Sequence, residues 1–481
     1  MKRATGWALL YLGLLLLPVA VGMWAQRAGG LEHRPWLDDW AAGLGMMGFC
    51  AVLLSFFLLG RFSLLSTRLG SDRLMLAHQL FARTAVAMLL LHPFFYTLWD
   101  APPGPVDASA ARALRIGAGD WGLATGLLAL GALLALVATA IWRPRSDMAY
   151  PRWRLLHAGL ALAVLGLGLH HTLVSGRYAQ LPAVALLWWL LAAAALCSLL
   201  WVHAVRPLWL AVRPYRITRL EPAAERIWLL EVSPTRRPRR AFRAGQFAWI
   251  RLGHLRAYDD NPFSLSRAND AQGRLQFLIK EAGDMTGSLS QHRPGETVHV
   301  DGPHGQFAWP PDAPAIVMHA GGIGVAPFVA LLADAVARGD PRPIRLIYAD
   351  RSAAQMIDLE GLSGASALAD FACVPMVERP ETGWQGLSGR LDAAGVQACL
   401  THTAVAPWAA HATHMVCGPE PMMDAVESAL VAHGVPGERI VSEHFRYDFA
   451  GRSPRSLAIR RAWWALSAAS LLALALALAW R

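Results

Sequence analysis

The stretch WRLLHAGLALAVLGLGLHH, Trp153–His171, decides how the chain is read, because it is apolar over the length of a bilayer yet carries imidazoles near both ends. A helix of about 20 apolar residues crosses the hydrocarbon core of a membrane. An earlier run, HQLFARTAVAMLLLH (His78–His92), repeats the arrangement. Apolar runs occupy roughly 6–24, 40–60, 74–99, 120–142, 153–175 and 181–203, which predicts a membrane α-helical bundle of six spans within 1–212. The first run lacks the small-residue cleavage site of a secretory signal and five more follow it, so it is read as a span. Trp24, Trp40, Trp99, Trp121, Trp142, Trp153 and Trp201 fall at span ends, where amphipathic rings prefer the interface.

Of the 481 residues 55% are hydrophobic, and the formal charge is +10. That charge is almost wholly arginine, since Lys2 and Lys280 are the only lysines. The arginines cluster beside apolar runs, so the partner they imply is the lipid bilayer and not nucleic acid. One set of connections holds Lys2, Arg3, Arg61, Arg68, Arg73, Arg143, Arg145, Arg152, Arg154, Arg206, Arg213, Arg216 and Arg219. The opposite set holds only Arg27, Arg34, Arg112, Arg115 and Arg177. This asymmetry puts the N-terminus and everything after the sixth span in the cytoplasm. The five cysteines form no CxxC pair, which argues against a disulfide framework, a zinc site or an iron–sulfur site.

Each histidine pair spans roughly 20 Å of helix, so the two helices define two layers with one histidine from each. His78 and His157 open their spans, while His92 and His170 or His171 stand near the far ends. Facing imidazoles across a bundle are an axial pair for haem iron, and two layers imply two b-type haems. A lone histidine in a membrane helix is more often a simple polar contact; four in matching layers are harder to explain that way. A spacing of 14 leaves two residues about 40° apart around a helix and a spacing of 13 about 140° apart, so helix geometry alone favours His171. Arg83, about one and a half turns deeper than His78, either pairs with a haem propionate or snorkels to the inner surface.

After Arg213 the texture changes. RIWLLEV, QFAWIRL and RLQFLIK are β-rich runs between Gly, Pro and Asp turns, which predicts an antiparallel β-barrel over 213–310. From Asp312 the order is strand (AIVMHA), glycine turn, helix (PFVALLADAVARG), strand (PIRLIYAD), which predicts an α/β parallel-sheet nucleotide domain over 311–449. The turn HAGGIGVAPF (His319–Phe328) lets backbone approach a pyrophosphate at a helix N-terminus. That turn matches neither GxGxxG nor GxxxxGK, so neither the usual dinucleotide fingerprint nor an NTPase is read from it. HMVCGPEPMM (His414–Met423) reads as a second strand-end turn of the same sheet. AWWALSAASLLALALALAW is long enough for a seventh span within 460–481.

From about Trp40 to Phe449 these pieces resemble the ferric reductase and NADPH oxidase superfamily, transmembrane flavocytochromes b. Two helices in that family each carry two haem-binding histidines 13 or 14 apart. His78/His92 is similar to the first pair and His157/His170 to the second, so the resemblance points to His170 where helix geometry points to His171. NPFSLS (Asn261–Ser266) resembles the family's HPF[ST] flavin motif, with Asn261 in place of histidine. The resemblance implies FAD held by Asn261, Pro262, Phe263 against the isoalloxazine and Ser264 at its N5 edge. KEAGDMTGSL (Lys280–Leu289) is similar to the segment holding the FAD pyrophosphate, which implies Lys280, Gly283 and Thr286. GGIGVAPF and CGPEPMM look like the NAD(P)-binding turns. They imply Gly321, Gly322, Gly324 and Pro327 along the pyrophosphate, and Cys417, Gly418 and Pro419 near the nicotinamide. Arg351, just after a strand, suits a 2′-phosphate and hence NADPH over NADH. SEHFRYDF (Ser442–Phe449) resembles the aromatic segment that packs on the flavin, with Phe445 as the candidate. Members of the family generally stop soon after it, so the C-terminal span is a departure.

The expected protein is therefore an NAD(P)H-dependent transmembrane oxidoreductase of a bacterial inner membrane, with cytoplasmic FAD and NAD(P) domains. Its acceptor outside is a ferric chelate, dioxygen or a quinone-like carrier. Ferric-chelate reduction is favoured, NADPH oxidase activity giving superoxide is the alternative, and a haem-free membrane-anchored flavin reductase is the rival from another class.

Overall fold

The computed structural model describes residues 2–29, 36–58, 70–95, 121–176, 181–237, 240–253, 260–268, 272–443 and 454–479, with Phe62, Leu65, Ser66 and Tyr178. The chain forms two compact units, one made of 1–61, 75–206 and 460–481 and the other of 62–74 and 207–459.

The first unit is helical. Its helices are α1 (Lys2–Ala28), α2 (Trp36–Leu58), α3 (Ser71–Phe94), α4 (Trp121–Trp142), α5 (Tyr150–Ser175), α6 (Pro182–Leu200) and the C-terminal helix Pro454–Ala479. Among the described residues, seven helical segments are long and apolar enough to cross a membrane, the C-terminal one among them. Leu15 and Val19 of α1, Met47 and Leu53 of α2, Met88 of α3, Leu169 of α5, Trp188 of α6 and Leu474 of the C-terminal helix share one core. Small residues set how closely the helices approach. A Cβ on Gly168 would stand 2.6 Å from the Phe49 ring, which in turn packs at 5.4 Å on Trp188. Close approach over glycine is the usual means of helix association where no water is present to drive it. Helix α4 pairs along α5, and the Trp153 indole N–H of α5 donates to the Thr139 carbonyl of α4 at 3.2 Å.

The second unit holds a barrel and a sheet. Strands β1 (Tyr215–Ala224), β2 (Ile227–Pro234), β3 (Phe247–Leu252), β4 (Asn261–Arg267), β5 (Leu275–Lys280) and β6 (Thr297–His304) close in the order β1-β2-β5-β4-β3-β6. Every pairing is antiparallel, and Ile217, Leu230, Val232, Ile250, Leu265, Phe277 and Val298 fill the interior. Closure removes the exposed edges that open sheets must otherwise protect. Strands β7 (Ile316–Gly321), β8 (Ile344–Asp350), β9 (Phe371–Val377), β10 (Leu387–Ser388), β11 (Thr413–Cys417) and β12 (Ile440–Ser442) form a sheet ordered β10-β9-β8-β7-β11-β12. All its pairings are parallel, and helices α7 (Ala326–Arg338), α8 (Ala393–Thr401) and α9 (Glu420–Ala432) cover it. The strand order reverses between β7 and β11, and the crevice beyond such a switch point is where open α/β sheets bind ligands.

Below that crevice two histidines are buried in neighbouring strands. His414 donates Nε2–H to the Ala409 carbonyl at 2.9 Å, so its Nδ1 is the acceptor for His319 Nε2–H at 3.0 Å. His319 Nδ1 has no hydrogen-bond partner among the described residues. Accepting through Nδ1 requires the His414 ring to be neutral, and burial holds both histidines below the ordinary value, His319 well below it. Above about pH 6.5 the folded and unfolded chains are equally neutral at these sites. Below it the unfolded chain takes protons that the folded one refuses, so stability falls by up to about 1.4 kcal/mol per pH unit per histidine. Thermal unfolding followed by flavin release is therefore expected to shift down steeply from pH 6.5 to 5, and the His319→Leu variant to lose part of that slope.

Candidate functional site

In the helical unit the structure brings His92 and His171 together, with ring centroids 6.3 Å apart and planes at 77°. His92 donates Nδ1–H to the Ala41 carbonyl of α2 at 2.7 Å, and His171 donates Nδ1–H to the Gly122 carbonyl of α4 at 2.8 Å. A carbonyl can only accept, so in each ring Nδ1 carries the proton, the bond that orients a histidine whose Nε2 binds a metal. One turn beyond each carbonyl stands a glycine. A Cβ on Gly45 would lie 2.8 Å from His92 Nδ1, and one on Gly126 would lie 2.5 Å from His171 Nδ1. Two nitrogen–metal bonds of about 2 Å, with about 1 Å more to each ring centre, add to roughly 6 Å. The His92–His171 spacing fits a shared axial metal. His170, to which the sequence resemblance points, is turned elsewhere: it is exposed and its Nδ1 pairs with Thr125 Oγ1 at 2.9 Å. The 13-residue offset carries it around α5, away from the face that His157 occupies.

His78 and His157 form the other layer and lie close enough to influence each other electrostatically. Their Nδ1 atoms are buried without a partner among the described residues, which is costly in lipid and fits imidazoles built for a ligand. Arg83 Nη1 donates to the Gln79 carbonyl of its own helix at 2.9 Å.

In the second unit, Asn261, Pro262, Phe263 and Ser264 lie on β4 opposite Ile250, Trp249, Ala248 and Phe247 of β3. Phe263 is half-buried, and Ser264 is buried with Oγ donating to Glu443 Oε2 at 3.4 Å. Glu443 itself follows β12, its N–H bonded to the Val416 carbonyl at 3.3 Å, so its carboxylate joins the flavin-motif strand to the end of β11. Cys417 lies there. Burial, and then the Glu443 charge, hold its thiol well above the usual range, so Cys417 is a neutral packing group and not a thiolate. Sequence reading quoted Glu443 inside SEHFRYDF but gave it no role, which becomes visible only when β4 and β12 are brought together. It also missed Ser66, whose Oγ is 2.8 Å from His304 Nδ1 beside Phe247. Phe445 lies outside the described residues.

Thr286 is fully occupied in shaping its own turn: Oγ1 accepts the N–H groups of Ala282 and Gly283 at 2.9 Å each and donates to the Gly283 carbonyl at 3.1 Å. That leaves Gly283, with nothing within 4 Å of a Cβ, on the open side of the turn. Lys280 is aimed at the nucleotide turn. Its Nζ donates to Gln355 Oε1 at 3.1 Å, lies 3.7 Å from Asp350 Oδ1, and would be 3.9 Å from a Cβ on Gly322.

The two glycine turns stand at the C-terminal ends of β7 and β11, on either side of the switch point. Gly322 has φ +54°, a left-handed conformation suited to glycine. A Cβ on Gly324 would meet the Cys417 carbonyl oxygen at 2.3 Å, and one on Gly321 would meet Pro419 Cδ at 3.1 Å. Gly418 packs against Gly321, and Pro327 opens α7 in its first turn, where a missing N–H costs nothing. Arg351 is exposed just beyond β8, and its N–H bonds Asp350 Oδ1 at 2.8 Å. The buried Asp350 carboxyl, pushed up by burial against the pull of that N–H and of Lys280, is a second charged group beyond β8 that the sequence reading passed over. Because Gly324 and Cys417 touch, Gly324→Val is expected to displace the turn by about 1 Å and cut NAD(P)H-driven flavin reduction roughly a hundredfold. Stopped-flow absorbance against unchanged flavin content checks this.

Residues 44–168 match the ferric reductase like transmembrane component, residues 234–309 the oxidoreductase FAD-binding domain and residues 318–428 the oxidoreductase NAD-binding domain. The chain is 28% identical over 183 residues to an NADH-cytochrome b5 reductase 1 of Cryptococcus neoformans var. neoformans serotype D, covering 36% of this chain and 62% of that protein. It is 26% identical over 254 residues to a flavohemoprotein of Bordetella pertussis, covering 49% and 61%. The chain thus spans about three fifths of the length of these curated relatives. Among solved structures it is similar to a ferredoxin NADP+ reductase from Neisseria gonorrhoeae, with TM-score 0.41 and 21% identity over 48% of this chain and 97% of that one. The transmembrane, FAD-binding and NAD-binding matches, in this order on one chain, are the domain set of the ferric reductase and NADPH oxidase superfamily.

Proposed function

We propose that the protein moves electrons from cytoplasmic NADPH, through FAD and two b-type haems, to a ferric chelate on the far side of the membrane. The reading rests on the His92–His171 pair, whose rings lie 6.3 Å apart and are each oriented by an Nδ1–H bond to a different helix. His78 and His157 would hold the cytoplasmic-side haem and His92 and His171 the other, with His171 taking the place that resemblance alone gives to His170. When bound, FAD supplies the exchange between a two-electron hydride and the one-electron chemistry of haem iron.

The residues of the chain bind and orient. The Gly321–Gly324 turn and the start of α7 receive the pyrophosphate, and the exposed Arg351 guanidinium suits a 2′-phosphate. Ser264 and Glu443 fix the flavin strand against the β11 end, where the protonated Cys417 gives the nicotinamide a neutral, packed wall. No side-chain acid or base is needed in the membrane, because only electrons cross. The orientation follows from the arginine asymmetry of the connections. The ferric acceptor is supported by the family match of the helical unit, and dioxygen is the competing acceptor in the same superfamily.

Dithionite-reduced protein should show a sharp bis-histidine b-haem band. His171→Ala is expected to lower haem from about two per chain to about one, whereas His170→Ala retains both; equal retention in the two variants would overturn the assignment. Ferric citrate reduction driven by NADPH should resist added superoxide dismutase; suppression by the dismutase would move the acceptor to dioxygen.

A further inference from the structure

We propose that the C-terminal helix is a positioning element of the histidine-bearing bundle, seated against α2 and α3, and not a bare membrane anchor. The proposal rests on the haem reading of His92 above.

Thr84 lies on α3 between its two histidines, six residues beyond His78 and eight before His92. Its hydroxyl meets the C-terminal helix twice. Trp463 Nε1–H, which can only donate, gives its proton to Thr84 Oγ1 at 2.8 Å, and Ser467 Oγ lies 3.3 Å from the same oxygen. Thr84 is also 3.3 Å from the Leu80 carbonyl, its alternative acceptor. An indole N–H in lipid has no water to replace that bond. Four and eleven residues beyond Trp463 come Ser467 and Leu474, and Leu474 is completely buried. A Cβ on Gly43 of α2 would stand 2.6 Å from Leu474 Cδ1, so the leucine occupies a notch that only glycine leaves open.

The helix has two distinct faces. Trp463, Ser467, Ser470, Leu474 and Leu478 recur at three- and four-residue intervals along one stripe, with Ser470, Leu474 and Leu478 buried. Trp464, Leu471, Leu472 and Leu476 are exposed on the other. An anchor needs only apolar residues all round; this one places its polar groups where α3 can satisfy them.

The consequence for His92 follows from α2. Gly43 receives Leu474, while Gly45, two residues on and so about 200° around the helix, leaves room for His92. The His92–Ala41 bond spans α3 and α2, and the C-terminal helix bears on both helices at once. Removing that support should loosen the His92–Ala41 bond, which fixes the imidazole, without touching either histidine.

The test is the full-length double variant Trp463→Phe/Leu474→Ala, which alters only the C-terminal helix. Expected are a haem affinity of the His92 layer weakened by about tenfold, the scale of second-shell losses, a shifted midpoint potential for that haem, and unchanged FAD content and NADPH–ferricyanide turnover. Oxidative cross-linking of Gly43→Cys with Leu474→Cys reads the docking itself, and its product should keep the parental haem spectrum. Parental haem affinity and potential in the double variant, or no cross-link, would overturn the proposal alone. A parental protein that binds no haem would overturn this proposal and the functional reading together.

Discussion

A polar ring in lipid must find its hydrogen bond inside the protein, and the helical unit is arranged around that requirement. His92 and His171 each reach across to a carbonyl on a neighbouring helix, Ala41 on α2 and Gly122 on α4. Helical carbonyls already accept one backbone bond, but their second lone pair is available, and using it costs no helix hydrogen bond. Each such bond fixes the tautomer, the ring plane and the axial height of one helix relative to another. The glycines one turn on, Gly45 and Gly126, are then obligatory, since any Cβ there would occupy the ring's place. One constraint thus explains the paired helices, the glycine positions and the orientation of both rings.

The second unit meets its own polar demands with backbone. Thr286 closes a turn by accepting two N–H groups, and the Gly321–Gly324 segment lies so close to Cys417–Pro419 that the two turns form one floor at the switch point. Charge gathers beyond β8, where Lys280, Asp350 and Arg351 lie, while the end of β11 holds Cys417, a thiol kept neutral by burial.

Much of this was legible in the sequence. Apolar length announced the spans, alternation of strand and helix the parallel sheet, and glycine-rich strand ends the nucleotide turns, because each depends on local periodicity or on φ. The pairing of His92 with His171 was legible in the spacing too: a 14-residue offset keeps His157 and His171 on one face, as it does His78 and His92. Glu443, Ser66 and the Lys280–Asp350 contact were not legible. Each joins segments far apart in the chain, and nothing in a single local window distinguishes a carboxylate that will meet Ser264 from one left on the surface. Thr286 was read as a ligand contact, but its hydroxyl faces inward to the backbone and leaves the open side of its turn to Gly283.

The C-terminal helix shows the same divide within one element. Its hydropathy announces a span and is silent about its neighbours, since lipid accepts an apolar helix in any rotation. Rotation is fixed instead by the few groups lipid will not accept, the Trp463 indole and the Ser467 hydroxyl, and by the single notch at Gly43 that a leucine can enter. A helix free to rotate would leave that indole unbonded in hydrocarbon for most orientations. The cost of a lost hydrogen bond in the membrane, about 1–2 kcal/mol in helix pairs, is therefore enough to choose one face, and the chosen face is the one turned to α3. The polar groups that look like flaws in an apolar span are what give it an address.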